Sequence, residues 1–322
     1  LKQLGLSSLA LGVQSSLPGE LFAETHAKQF FDISLAEFSF ATSLFTGQMN
    51  HLDFAAKAKN EFGIDKIEYV SMFFKEKPSN KEYIAEMKKR ADDNGVKSNL
   101  IMVDGMGNVA DPDSTKRQQA IDNHVPWIEA AKELGCYAIR VNLDGEGGDE
   151  EVAKAAVEGY SKLVELGEKN DISILVENHT GASVNPDWLV GVMKQVKNKN
   201  AGLLVDTANF VRYKVDAMTI EAFKNAKIEA TYDPYDGVKK LMPFARGVSL
   251  KTHQIDKDGK DPKVDFHKIL KIVKDSGFKG TIGVEYEGSF LKHVMQMPGE
   301  YLPEAEGIKV THDLLKKIGA EV

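Results

Sequence analysis

The chain contains 322 residues, of which 42% are hydrophobic, and it carries a formal net charge of −7. This length and composition suit a globular fold with a large core and exclude bulk disorder. Because the net charge is negative, the protein has no overall positive potential that would attract nucleic acid, and nucleic acid is not expected as a partner. The single cysteine, Cys136, excludes an intramolecular disulfide bond.

Residues 1–23 differ in character from the rest of the chain. An apolar run from Leu1 to Leu17, interrupted by Ser and Gly, is too short to span a membrane as a helix. The Pro18–Ala23 segment follows it, as a cleavage site follows the apolar part of an export signal. The run resembles the middle of a twin-arginine signal, which implies a periplasmic protein without stable membrane insertion after signal removal. The alternative is a cytoplasmic protein in which these residues form an N-terminal helix.

From about residue 30 to the end of the chain, apolar runs rich in β-formers alternate with segments of helical periodicity, and residues 24–322 are predicted to form one domain. The predicted strands are Asp32–Phe40, Lys66–Phe73, Val96–Val103, Tyr137–Leu143, Ile172–Glu177, Gly202–Asp206, Gly247–Thr252 and Thr281–Glu285. The helical segments include Leu52–Phe62, Lys81–Asn94, Gln118–Leu134, Glu151–Lys169, Asp187–Lys197, Phe266–Ser276 and Ala305–Ile318. Eight such units predict a single (β/α)₈ TIM barrel, although counting alone also permits a doubly wound sheet.

Three stretches that follow predicted strands contain no clear periodicity. They are Gly105–Asp113, Ile228–Phe244 and Gly288–Pro303. We expect irregular loops there, on the face where barrels of this class carry their functional sites.

Three predicted strands end in a carboxylate, namely Glu177, Asp206 and Glu285. A charge that closes an apolar strand is costly unless it is paired or binds a metal. The seventh predicted strand adds His253, which shares one face with Lys251 at the two-residue period of a strand. Together these residues predict a site for one divalent ion, Mn²⁺ or Mg²⁺, with Zn²⁺ or Co²⁺ as alternatives. Any one strand-end carboxylate could instead cap a helix or join a salt bridge.

Four motifs carry a resemblance to a known family: Val176–His179, Val205–Phe210, Val248–His253 and Gly283–Gly288. They resemble the sugar phosphate isomerase/epimerase group of the xylose-isomerase-like barrels, from about residue 30 to the C-terminus. The resemblance implies that Glu177, Asp206, a histidine of the seventh strand and Glu285 bind the metal. It also implies that Glu177 and Glu285 are catalytic and move a proton through an ene-diolate, which agrees with the chemistry of metal-polarised carbonyls.

Two positions depart from the family pattern. Many relatives carry the histidine of the seventh strand at the position of Ser249, so His253 is assigned as the ligand because it keeps the inward parity. Asn209 stands where epimerase relatives often carry histidine, which alters the hydrogen bonding of a substrate and disfavours simple ketose epimerisation.

Several further polar or aromatic side chains are predicted near the mouth of the barrel. The candidates for substrate contact are Glu68, Arg140, Asn142, His179, Trp188, Asn209 and Lys251. Each has a structural alternative: support of the site, a salt bridge inside the barrel or, for the tryptophan, plain packing. An inward lysine in an apolar strand needs a carboxylate or an oxyanion beside it.

The sequence thus predicts a metal-dependent isomerase or epimerase acting on a small carbohydrate. An alternative uses the same proton abstraction but expels a leaving group, as a lyase or dehydratase of a 3-keto sugar or glycoside. A third alternative is an exported sugar-binding protein without catalysis. The sequence is compatible with a homo-oligomer.

Overall fold

The computed structural model describes residues 29–214 and 220–322. The predicted export segment, residues 1–23, lies outside the described residues. Within the described ranges, no helix combines the length and the apolar character needed to cross a membrane.

Eight parallel strands close into a barrel, which confirms the predicted (β/α)₈ architecture. The barrel strands are β1 (Asp32–Ala36), β2 (Lys66–Val70), β3 (Lys97–Met102), β4 (Ala138–Val141), β5 (Ser173–Glu177), β6 (Ala201–Asp206), β9 (Ala245–Thr252) and β10 (Thr281–Tyr286). They follow chain order around the barrel, and β10 pairs with β1 to close it. A separate antiparallel hairpin, β7 (Val211–Lys214) and β8 (Lys227–Thr231), is inserted between β6 and β9.

Helices lie between and after the strands, and the longer ones pack around the barrel. They are α1 (Ala41–Phe45), α2 (Phe54–Phe62), α3 (Lys81–Asp93), α4 (Ser114–Leu134), α5 (Asp149–Glu168), α6 (Pro186–Met193), α7 (Ile220–Lys224), α8 (Pro234–Leu241), α9 (Phe266–Asp275), α10 (Gly288–His293) and α11 (Glu304–Glu321). Gly63 and Gly135 end α2 and α4 in the left-handed conformation, with φ of 69° and 78°. Glycine adopts this conformation without steric cost, and the chain can therefore turn sharply into the next strand.

Alternation along the strands divides the apolar residues into two groups. Outward residues such as Val176, Val205 and Leu250 join the large core between strands and helices. Inward residues such as Leu100, Leu175 and Leu204 form a smaller cluster inside the barrel. The polar residues that end the strands with the same inward parity therefore meet above this cluster, at the carboxyl end of the barrel.

The structure corrects several predicted boundaries. The first two predicted strands end early, at Ala36 and Val70, and continue as short 3₁₀ helices. The expectation of irregular structure over Ile228–Phe244 is wrong, since this stretch contains most of β8 and all of α8. Helix α8 begins where the Asp233 carboxylate accepts backbone hydrogen bonds from Tyr235 and Asp236. Likewise, α10 occupies the start of the predicted loop Gly288–Pro303.

Candidate active site

The three predicted strand-end carboxylates meet at the carboxyl end of the barrel. Glu177 ends β5, Asp206 ends β6 and Glu285 lies near the end of β10. All three are buried, with at most 4% of each residue exposed. Strands β6 and β9 separate β5 from β10 around the barrel, so Glu177 and Glu285 approach the centre from two sides.

The ammonium group of Lys251 lies at the centre of these carboxylates. Its Nζ is 3.1 Å from Asp206 Oδ2, 3.7 Å from Glu285 Oε2 and 4.0 Å from Glu177 Oε1. A fourth carboxylate, Glu287, places Oε1 3.1 Å from the same nitrogen. Only 3% of Lys251 is exposed, so these charges interact in an environment that screens them far less than water does.

A second cation, Arg140, pairs with Glu177 from the β4 side. Arg140 Nε lies 2.8 Å from Glu177 Oε2, as an ion pair without the alignment of a hydrogen bond. The guanidinium also donates to Asp104, with Nη1 2.6 Å from Oδ1. Asn142 donates to the same oxygen at 2.8 Å, and the His179 ring nitrogen Nδ1 lies 3.0 Å from Asn142 Oδ1. A polar chain therefore extends from Glu177 toward the mouth of the barrel.

Backbone and amide groups fix the loop after β6. Asp206 Oδ1 accepts hydrogen bonds from the backbone N–H groups of Ala208 and Asn209. The Asn178 amide bridges the strand ends, donating to the Asp206 carbonyl and accepting from the Asp206 N–H. Asn209 Nδ2 lies 3.3 Å from Glu177 Oε1 and donates to it. These bonds orient Asp206 and Glu177 and leave Asp206 Oδ2 directed at Lys251.

The structure places His253 beside Glu287 rather than among the three strand-end carboxylates. Its Nε2 lies 3.3 Å from Glu287 Oε2, and about a third of its side chain (34%) is exposed. Strand β9 ends at Thr252, and the inward parity that predicted His253 as a ligand ends with the strand. The strand position that faces Asp206 in register belongs to Ser249, whose hydroxyl donates to Glu285.

Burial and mutual repulsion perturb the pKa values of the carboxylates. Burial is the main cause that raises the pKa of Asp206 to about 6, although Lys251 opposes it. Burial also raises the pKa of Glu177, although the nearby cations Arg140 and Lys251 oppose it. It raises the pKa of Glu285 in the same way, opposed by Lys251. Burial acts in the same direction on Glu287, but Lys251 and His253 hold its pKa well below its ordinary value. Carboxyl groups with raised pKa values are suited to exchanging protons near neutral pH.

The pKa values of the two basic groups Lys251 and His179 shift in opposite directions. Burial tends to lower the pKa of Lys251, yet the surrounding carboxylates raise it well above its ordinary value. Burial, with Arg140 and Lys251, lowers the pKa of His179 to about 4, so its imidazole is neutral at pH 7. Burial tends to raise the pKa of the Asp104 carboxyl, but the nearby Arg140 and His179 outweigh it and lower this pKa to about 2.

Two other predicted candidates lie away from this centre. Glu68 lies deeper inside the barrel, where it accepts hydrogen bonds from Ser34 and Asn99, and burial raises its pKa to about 7. The indole N–H of Trp188 donates to the Asp149 carbonyl, so this ring joins the starts of α6 and α5. The structural alternative accounts for the observed contacts of both residues.

The resemblance implies a divalent metal ion among these side chains. Among residues 29–214 and 220–322, no group of three or more His, Cys, Asp or Glu side chains has the geometry of a metal site. An ion bound to the three strand-end carboxylates would share their space with Lys251. At an effective dielectric of about 20, a divalent ion and an ammonium 4 Å apart repel each other by about 8 kcal/mol. The side chains as placed therefore do not fit a divalent ion.

Two partners of the site, Asp104 and Glu287, were not among the residues predicted from the sequence. Asp104, which pairs with Arg140, comes directly after Val103, and Val103 is the first residue after the apolar end of β3. This is the signal that identified Glu177 and Asp206, and it could have been applied here. Glu287, which contacts Lys251, lies two residues beyond Glu285 at matching parity.

The comparisons with known proteins agree with the fold. The sequence profile of the xylose isomerase-like TIM barrel family matches residues 55–318. An inosose dehydratase from Erwinia tasmaniensis is 26% identical over 199 residues, which cover 55% of this chain and 66% of the dehydratase. The alignment thus spans slightly less than two thirds of that relative.

Solved structures show the same architecture at low sequence identity. D-allulose 3-epimerase from Methylomonas sp. superposes with a TM-score of 0.65 at 13% identity, covering 90% of this chain and 98% of the epimerase. The IolI protein, solved with a bound zinc atom, gives a TM-score of 0.62 at 16% identity, covering 90% and 99% of the two chains. With its closed barrel and a profile match over most of its length, the chain belongs to the xylose isomerase-like TIM barrel family.

Proposed function

We propose that the chain is an enzyme that moves a proton next to a carbonyl group of a sugar or sugar derivative. One observation carries this proposal: Glu177 and Glu285 approach a single buried cation from two sides. A binding protein needs no such pair, whereas proton removal and return on two sides of a carbon requires two groups of this kind. The sugar epimerase and the inosose dehydratase named among its relatives support a carbohydrate as the substrate.

The residues of the site account for each part of the reaction. One carboxylate takes the proton from the carbon next to the carbonyl, and the electrons of that C–H bond form a C=C bond. The electrons of the C=O π bond pass to oxygen, where the Lys251 ammonium stabilises the negative charge. If the other carboxyl returns a proton to the opposite face of the same carbon, the carbonyl re-forms and the product is an epimer. If the proton goes instead to the former carbonyl carbon, the oxygen of that carbon gains a proton, the neighbouring hydroxyl loses one, and the product is an isomer with the carbonyl moved by one carbon. No electrons are gained or lost overall.

Polar groups around Glu177 would hold the substrate. The neutral His179, Asn142 and the Asn209 amide offer hydrogen bonds to hydroxyl groups near the mouth of the barrel. Arg140 keeps the Glu177 carboxylate in place through its ion pair. Burial of this arrangement excludes water, which strengthens each electrostatic contact.

A lyase or dehydratase is the second candidate. The relative from Erwinia tasmaniensis, named an inosose dehydratase, favours it. So does the pair of His253 and Glu287, since a partly exposed imidazole beside the site could protonate a leaving group. The same first step would then end in loss of the group at the next carbon.

The proposal is tested by proton exchange in D₂O, followed by NMR, with a panel of ketoses, aldoses and 3-keto-glycosides. We expect deuterium at the carbon next to the carbonyl, with an isomeric product for the first candidate and a released leaving group for the second. Glu177→Gln and Glu285→Gln should each abolish this exchange. Glu61→Gln, on the surface of α2, serves as the matched control because, among the described residues, the recorded ion pair of its carboxylate is with Lys57, far from the site. Absence of exchange with every substrate would reject the proposal.

A further inference from the structure

The seventh strand of the barrel, β9, places two residues at the centre of the site. Lys251 lies opposite Glu285 in the register of β9 and β10, and Ser249 lies opposite Asp206 in the register of β6 and β9. The Ser249 hydroxyl is engaged as a donor to Glu285. Strand β9 therefore brings a cation and a neutral hydroxyl to the carboxylates, and no imidazole.

Lys251 is held at both ends. Its backbone N–H lies 3.2 Å from the Thr207 hydroxyl oxygen and donates to it. Its Nζ lies within 4.0 Å of four carboxylates, contributed by β5, β6, β10 and the residue that follows β10. A buried ammonium is costly unless carboxylates surround it, and here they converge on it from several strands. The ammonium is thus built into the fold.

We propose that Lys251 is the permanent cation of this site and stands in place of a divalent metal ion. The catalytic part of this inference rests on the proposed function, because the ammonium would stabilise the oxyanion of the ene-diolate. The metal-binding part rests on geometry alone. Four carboxylates share one centre, and that centre is taken by a group which the chain carries itself.

This arrangement has a consequence for ligand selectivity. A divalent ion can enter only if the ammonium leaves, and its departure would break the buried ion pair with Asp206. Removal of the ammonium would leave a cluster of uncompensated carboxylate oxygens, which are the ligands that Mn²⁺ and Mg²⁺ prefer. The wild-type chain should therefore exclude divalent ions, and a chain without the ammonium should bind one.

The test is a titration of the full chain with Mn²⁺ after treatment with EDTA, with free Mn²⁺ measured by electron paramagnetic resonance. We expect no stoichiometric binding by the wild type. Lys251→Met should bind one Mn²⁺ per chain at least about 100-fold more tightly than the wild type does, because the repulsion between Mn²⁺ and the ammonium is removed. Lys57→Met, which alters a surface ion pair on α2, should behave like the wild type.

Two outcomes would overturn the inference. One is tight binding of one Mn²⁺ per chain by the wild type, and the other is a folded Lys251→Met chain that binds Mn²⁺ no better than the wild type. If Lys251→Met does not fold, as judged by circular dichroism, Ser249→His replaces it. That variant adds an imidazole and keeps the ammonium, so we expect no binding, and stoichiometric binding by it would overturn the inference.

The catalytic role proposed for Lys251 is tested by a separate measurement of proton exchange. Exchange of the proton next to the carbonyl should persist in EDTA, and its loss in EDTA with recovery on addition of Mn²⁺ would contradict the role given to Lys251. Failure of every substrate to exchange would reject the proposed function, while the Mn²⁺ titration would still decide the metal-binding part.

Discussion

Replacing Lys251 with methionine should destabilise the fold strongly and in a pH-dependent way. The substitution keeps the apolar stem but removes the charge that lies 3.1 Å from both Asp206 and Glu287. At an effective dielectric of about 20, each such pair is worth about 5 kcal/mol before the cost of burial is subtracted. Because that cost is large, breaking a buried ion pair lowers the free energy of unfolding by about 3–5 kcal/mol in practice. We expect a loss of this size at pH 8.

The loss should shrink as the pH falls. Without the ammonium, burial raises the folded-state pKa values of Asp206, Glu177 and Glu285 still further above their unfolded values. The folded chain therefore binds more protons than the unfolded chain as the pH falls. Stability then increases as the pH decreases through these raised pKa values. Lowering the pH from 8 to 5.5 should therefore recover part of the lost free energy.

Urea unfolding followed by the fluorescence of Trp127 and Trp188 measures both effects. Lys57→Met is the matched control, since its exposed pair with Glu61 contributes less than about 1 kcal/mol. A loss below about 1 kcal/mol at pH 8 for Lys251→Met, or a loss independent of pH, would show that the ammonium does not balance the carboxylates.

Three further predictions concern the fold. Asp233→Ala removes the carboxylate that caps α8 and should lower the free energy of unfolding by about 1 kcal/mol in urea titrations; no change would refute the cap. Gly307→Ala places a Cβ against the ring of Tyr286, which should cost about 1–3 kcal/mol by the same assay, and a neutral effect would mean that α11 can shift. Burial lowers the pKa of His124 below its unfolded value, so the unfolded chain binds its proton first and stability falls as the pH drops below about 6.5. Stability curves between pH 7 and pH 5 should be steeper for the wild type than for His124→Gln, and parallel curves would contradict this.

Local patterns predicted the fold well because each unit of the barrel repeats one signal. An apolar run and a segment of helical periodicity recur along the chain. The ends of the first two strands were predicted too far along, because their apolar residues continue into 3₁₀ turns. Helix α8 was not predicted because the stretch Ile228–Phe244 shows no clear periodicity. Its start depends instead on the cap at Asp233.

The candidate site was predictable only in part. Strand-end parity located Glu177, Asp206 and Glu285, and it placed Lys251 inside the barrel. Parity could not show that the lysine reaches the centre of the carboxylates, because that depends on side-chain length and barrel closure. It also assigned His253 inward, although parity has no meaning beyond the end of β9.

The central claim is that Glu177 and Glu285 move a proton at the carbon next to a sugar carbonyl, beside a cation that the chain supplies itself. The most direct measurement is the rate of deuterium incorporation at that carbon, in D₂O containing EDTA, for the wild type and for Glu285→Gln. We predict incorporation by the wild type and none by the variant. Equal incorporation by both chains, or none by the wild type with any ketose or 3-keto-glycoside, would contradict the claim.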